Sequence, residues 1–175
     1  MAGNKPIPEF TPLNIAVVTV SDTRTEATDT SGQFLHDAAV GAGHKVVARH
    51  LCKDDVHRLR AVISNLIADE GVHVVLVTGG TGFTRRDNTV VAVTPLLDSH
   101  IDGFGELFRQ VSFEEIGTST LQSRAFAGIS NSTAVFCMPG STSACKTAWN
   151  RIIASQLDSR TRPCNFAERL LQKGG

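Results

Sequence analysis

The chain has 175 residues, 41% of them hydrophobic, enough for one domain with a sizeable core. Lys plus Arg and Asp plus Glu both number 17, so the formal net charge is zero, and no clustered basic surface marks a nucleic-acid or membrane partner. The cysteines, Cys52, Cys137, Cys145 and Cys164, form no C-x-x-C pair and no zinc spacing, which points to reduced thiols and a cytoplasmic location.

No stretch approaches transmembrane length. Residues 1–12, with Pro6, Pro8 and Pro12, are expected to form an extended arm ahead of a single domain over 13–175. Leu13 to Val20 predicts a buried first strand ending at Ser21-Asp22. Thr30-Ser31-Gly32-Gln33 has the form of a capping box and predicts a helix to about Val40. Lys45 to Leu51 alternates as a second strand. Asp54 stands where it can cap a helix to about Glu70, with Val56, Leu59, Ile63, Leu66 and Ile67 on one face.

Val72 to Thr78 predicts the third strand, and a helix starting near Thr89 is disturbed at Pro95. Phe104, Leu107, Phe108 and Val111 form an apolar stripe. Ser119-Thr120-Leu121-Gln122 repeats the capping-box form and predicts a short helix. Thr133 to Met138 predicts a strand that turns at Pro139-Gly140-Ser141 into a last helix through Gln156. Strands alternating with helices predict an α/β fold, a three-layer, mostly parallel sheet with helices on both faces.

The stretch Val74 to Asp87, V-V-L-V-T-G-G-T-G-F-T-R-R-D, is the most informative about function. Gly79, Gly80 and Gly82 let the chain take positive φ and let a ligand approach the backbone. The turn is no Walker loop, since it lacks the lysine. It is no dinucleotide fingerprint either, because Arg85 stands where the third glycine belongs. Ligands of open α/β sheets bind beyond the carboxyl ends of the strands. A parallel sheet brings the first strand's end, the glycine turn and the Met138–Ser141 turn to one edge, where N–H groups favour an anion. The candidate ligand-binding residues are therefore Ser21, Asp22, Thr78, Gly79, Gly80, Thr81, Gly82, Pro139, Gly140 and Ser141. A bulky residue at Gly80 is expected to block the ligand and leave the fold intact.

Asp54 and Asp87 are the acidic candidates, with plainer alternatives as a helix cap and as a partner of Arg85 or Arg86. Facing a phosphate, each would be repelled by about 4 kcal/mol at about 4 Å and an effective dielectric near 20. Mg²⁺ bridging one or two carboxylates to phosphates removes that conflict. The histidines show no spacing for a metal cluster or a triad. Ser21, Ser123 and Ser141 lack the context of an activated nucleophile.

The motifs T-V-S-D at 19–22, D-T-S-G at 29–32, T-G-G-T-G-F-T-R-R-D at 78–87 and M-P-G-S at 138–141 resemble those of the molybdopterin adenylyltransferase and gephyrin G domain family. The stretches at 103–109, 112–125 and 158–166 are similar to its MoaB branch. The resemblance implies the molybdopterin-binding domain fold, a molybdopterin pocket at the carboxyl strand ends, and a homohexamer built as a dimer of trimers. Phe104, Leu107, Phe108 and the region of Trp149 are the expected subunit surface. In the adenylyltransferases, ATP and molybdopterin give adenylylated molybdopterin and pyrophosphate with Mg²⁺. The two aspartates that matter there fall on Asp54 and Asp87, as catalytic and metal-holding residues.

There are departures from the family pattern. The family's D-V-T-P-E-A reads Asp87-Asn88-Thr89-Val90-Val91-Ala92 here, and Lys53 replaces the proline before Asp54. The carboxylate missing at Val91 predicts weakened activity. Two functions stay open on the sequence: adenylylation of molybdopterin, or a non-catalytic protein that binds or carries it.

Overall fold

Alternating side chains on three central strands sort the apolar residues into two layers, and this sorting builds the fold. The computed structural model describes residues 9–173. Strand β1 spans Asn14–Val20, β3 Val74–Thr78 and β6 Thr133–Met138, all parallel and nearly all buried. Ile15, Val17, Leu76 and Phe136 face one core. Ala16, Val18, Val75, Val77 and Val135 face the other.

The first core is covered by α1 (Thr30–Gly41), α4 (Asp102–Ile116) and the helical segment after β6. The second is covered by α2 (Val56–Ala68) and the short α3 (Thr89–Val93). Each fully buried Leu, Ile or Phe contributes about 1.5–3 kcal/mol relative to exposure. Edge-to-face packing of Phe104 on Phe136, at 5.2 Å between centroids, adds about 1 kcal/mol.

The sheet order is β2 (Lys45–Cys52), β1, β3, β6, β5 (Phe126–Ser130), β4 (Ser99–His100). Edge strand β2 is parallel to β1 and half exposed. β5 and the two-residue β4 extend the other side in antiparallel pairing. Neither was legible as a strand in the sequence. The mostly parallel three-layer sheet is as expected.

Local details differ. Asp29, one residue earlier than the expected box, caps α1 by accepting from Gly32 N. Asp55, one residue later than expected, caps α2 by accepting from Arg58 N. Gly117–Gln122 is a 3-10 turn without a side-chain cap. The last helix is α5 (Thr142–Ala148), a π turn over Trp149–Ile153 and α6 (Ala154–Leu157), followed after an irregular stretch by α7 (Ala167–Leu170). Phe104, Phe108 and Trp149 pack into the chain's own core, so they cannot supply a subunit surface. Leu107, at 49% exposed, is the one residue of that set that faces outward.

Residues 1–8, most of the expected arm, lie outside the described residues. Just beyond them, Thr11 N donates to the Ser159 hydroxyl, which in turn donates to the Glu9 carbonyl. The start of β1 is held by two imidazoles. His44 Nδ1 accepts from Leu13 N at 3.2 Å, and His73 Nδ1 accepts from Asn14 N at 2.9 Å. Each contact needs an unprotonated Nδ1.

Burial lowers both histidine pKa values below 6.5, with the Lys173 charge adding to it at His73 and Asp158 opposing it at His44. A base depressed in the fold contributes stability above its unfolded pKa and loses it as pH falls through the folded value. The thermal midpoint should therefore drop as pH falls below about 6.5. A His44→Gln, His73→Gln variant should show a flatter profile over that range, followed by circular dichroism.

Candidate functional site

β1, β3 and β6 end side by side, and the turns leaving them form one cleft of about 580 Å³. All twelve residues singled out in the sequence line it: Ser21 and Asp22 from the first turn; Thr78 through Gly82 from the second; Pro139, Gly140 and Ser141 from the third; and the two aspartates, Asp54 and Asp87. A wall that no local pattern announced closes the other side. Phe108, Ser112, Glu115 and Ile116 of α4 contribute to it, as does Thr147 of α5.

The glycine turn is shaped by what surrounds it. Gly79 and Gly80 have φ of +104° and +67°. A Cβ on Gly80 would lie 2.3 Å from Thr89 Oγ1 and 2.9 Å from Asp54 Oδ2. Thr89 is fixed there because its hydroxyl donates to Gly79 O at 2.7 Å and its N–H to Gly80 O. Arg124 holds the outer side of the turn, donating to the carbonyls of Thr81, Gly82 and Asp87 and stacking on Phe83. Among the described residues, the N–H groups of Gly80, Thr81 and Gly140 have no acceptor within the chain. They form a set of donors free for an anion.

The acidic residues have distinct surroundings. Asp54 Oδ1 accepts from Asn88 N at 2.9 Å, while Oδ2 has no donor among the described residues. Burial above all, with the charges of Asp87 and Asp22, pushes the Asp54 carboxyl above its ordinary pKa against the bonds from Asn88. Burial also pushes Asp87 up, but hydrogen bonds from Thr84 and Gly82 and the Arg124 charge outweigh it and hold the carboxyl below its ordinary value. Asp87 pairs with neither neighbouring arginine. Arg86 instead bridges to Asp22.

No set of three or more His, Cys, Asp or Glu is arranged for a metal among the described residues. A cation in the cleft would rest on Asp54 and Asp87 together with ligand oxygens. The unbonded Oδ2 of Asp54, beside the space a Gly80 Cβ would fill, suits that role.

Arg24 and Asp29 were missed as site residues. Arg24 lines the cleft, donating to Ser31 Oγ at 3.1 Å and to Gly140 O at 3.2 Å. Beneath it the buried Asp29 accepts from Thr19, Gly32 and Arg49. Gly32 completes the D-T-S-G motif because a Cβ there would come within 2.2 Å of Asp29 Oδ2. That motif was the available signal; nothing local marked Arg24. The departure at Val91 also reads differently: it is 55% exposed and does not line the cleft, so a carboxylate there has no evident reach to a ligand.

A family model described as "Probable molybdopterin binding domain" matches residues 16–159. The chain is 57% identical over 162 residues to molybdenum cofactor biosynthesis protein B of Escherichia coli, covering 93% of this chain and 95% of that one. It is 49% identical over 142 residues to the protein of the same name from Bacillus cereus, covering 81% and 84%. A crystal structure of a molybdenum cofactor biosynthesis protein B superposes with a TM-score of 0.84 at 42% identity, over 93% of this chain and 96% of that one. The tungsten cofactor synthesizing protein MoaB of Pyrococcus furiosus gives 0.70 at 36% identity, over 81% and 90%.

Two variants test the geometry of the turn. Gly80→Ala must adopt the left-handed region and displace Thr89, so it should cost about 2–3 kcal/mol of stability in denaturant melts. A larger residue at Gly80 thus disturbs the fold as well as the ligand, contrary to the sequence expectation. Asp54→Asn should act in the opposite direction. A carboxylate whose pKa is raised in the fold opposes folding once ionised. The variant should therefore melt above the parent at pH 7, and the difference should shrink as pH falls towards 3.8.

Proposed function

This chain belongs to the molybdopterin-binding domain family of molybdenum cofactor biosynthesis, and on that premise we propose that its cleft binds molybdopterin and adenylylates it with ATP. The observation that carries the reading is the pairing of free N–H groups at Gly80, Thr81 and Gly140 with a carboxylate at Asp54 that has one oxygen unbonded. The first group suits the molybdopterin phosphate; the second suits a cation at the reacting phosphates.

In the reaction proposed, an oxygen of the molybdopterin phosphate attacks the α-phosphorus of ATP. A new P–O–P link forms to AMP, the bond to the β-phosphate breaks, and pyrophosphate leaves. The turn N–H groups fix the attacking phosphate, and Arg24 adds positive charge beside Gly140. Asp54 and Asp87 would hold Mg²⁺. That ion supplies charge neutralisation between the phosphates of the two substrates.

The alternative, a protein that binds or carries molybdopterin without transfer, is favoured by the lack, among the described residues, of three or more His, Cys, Asp or Glu placed to hold a metal. We also keep as proposals a single domain over 13–175 with an arm over 1–12, a cytoplasmic location and a trimer-based hexamer. The surface for assembly would be Phe113 and Leu121, which are exposed, rather than Phe104, Phe108 or Trp149. No helix among the described residues is long and apolar enough to cross a membrane.

Incubation of the protein with molybdopterin, ATP and Mg²⁺ should release pyrophosphate and form adenylylated molybdopterin. Asp87→Asn should lower turnover about a hundredfold or more and leave molybdopterin affinity within about threefold, since it disturbs the cation and not the free donors. Tight molybdopterin binding by the parent with no ATP-dependent product would transfer the assignment to the carrier reading.

A further inference from the structure

Glu115 is the one acidic residue that α4 contributes to the cleft, and Asp22, Asp54 and Asp87 line it from other elements. It stands near the C-terminal end of α4, which spans Asp102–Ile116. Thr147 reaches it from α5 and donates its hydroxyl to Glu115 Oε2 at 2.7 Å. The Ser143 carbonyl is a second, longer acceptor for that hydroxyl hydrogen, at 3.1 Å. One oxygen of the carboxylate is therefore fixed by the protein, and Oε1 has no donor among the described residues. Its neighbour Glu114 points to a different task, pairing with Arg151.

Position narrows what this carboxylate can meet. Thr147 follows Ser141 by six residues, or about 9 Å along a helix axis. The free N–H groups lie at the Ser141 end. Glu115 thus faces the cleft at a remove matching the length of a fused ring system. Beside Glu115 the lining includes the exposed, apolar Ile116, a surface suited to the face of a flat heterocycle. A carboxylate accepts only, so what it recognises must present donors.

We infer that Glu115 selects the pterin ring by accepting hydrogen bonds from the N3–H and 2-amino group of its 2-amino-4-oxopyrimidine edge; this rests on the molybdopterin reading of the cleft. The phosphate end is bound by backbone donors that any phosphate ester would satisfy. Discrimination among phosphate esters then falls to the far end. A charge-assisted hydrogen bond lost from such a site weakens affinity about ten- to hundredfold. Presenting the 2-oxo analogue instead turns an acceptor towards the carboxylate and repels it.

The test is displacement of molybdopterin by 6-hydroxymethylpterin and by its 2-oxo counterpart, 6-hydroxymethyllumazine, from the parent, Glu115→Gln and Thr147→Val proteins. The parent should prefer the pterin about tenfold or more. Glu115→Gln should lose that preference, because an amide can donate as well as accept, and should bind molybdopterin about tenfold or more weakly with an unchanged melting temperature. Thr147→Val should erode the preference in the same direction by less. A parent that binds molybdopterin but shows no preference overturns the inference alone, as does a folded Glu115→Gln protein that keeps the parent's preference. A parent that fails to bind molybdopterin overturns the reading of the cleft, and this inference with it.

Discussion

The missing Cβ at Gly80 is the constraint around which the cleft is arranged. Thr89 Oγ1 and Asp54 Oδ2 occupy the surroundings of that vacant position, at 2.3 and 2.9 Å from where the atom would lie. The residue can take φ of +67° only at low cost because it is glycine. Once the turn is set, Thr89 ties it to the start of α3 and Asn88 ties α3 to Asp54. Arg124 secures it from outside through three carbonyls. The N–H groups of Gly80 and Thr81, in residues that line the cleft, are left without acceptors among the described residues. The glycine conformation thus serves to present N–H groups as well as to close a turn.

Charge sets the second condition. The lining carries Arg24 and Arg86 against Asp22, Asp54, Asp87 and Glu115, and Arg86 is largely committed to Asp22. Arg24 is itself balanced by Asp29, at 3.7 Å. For an anionic ligand the acidic side is repulsive by several kcal/mol unless a cation intervenes, taking about 4 kcal/mol per close pair at an effective dielectric near 20. The raised pKa of Asp54 comes first from its burial, and the charges of Asp87 and Asp22 add to it. A buried carboxylate kept in a cleft at a cost to stability marks Asp54 as a candidate functional group.

The central strands were legible because burial on both faces leaves an unbroken apolar run, as in Val74–Thr78 and Thr133–Met138. Phe126–Ser130 was not, since its Ala, Gly and Ser carry little hydrophobic signal and its order comes from pairing with β6. The caps were misread by one residue because an aspartate and a neighbouring polar residue are equivalent on local pattern alone. That offset matters at α2. Asp55 takes the capping role, which releases Asp54 to turn into the cleft. The three glycine-bearing or serine-bearing turns were readable because parallel strands must end at one edge. Arg24, Glu115 and Arg124 were not, because each meets partners far away in the chain. Arg124 reaches the glycine turn 42 residues earlier, and Thr147 reaches Glu115 across 32.

The two edges of the sheet divide the labour of stability and function. At the amino edge the strand starts are tied down by side chains: His44 and His73 hold β1, and Lys173 Nζ donates to the carbonyls of Asp69 and Val72. At the carboxyl edge the chain keeps unpaired donors, crowded carboxylates and two positive-φ glycines in succession. Those features are unfavourable alone and persist because the strands beneath them are fixed. The side-chain bonds at one end therefore support the unsatisfied chemistry at the other. Weakening the histidine pair should loosen the whole sheet cooperatively, whereas changes at the glycine turn should act first on the ligand and on the local geometry that Thr89 and Arg124 maintain.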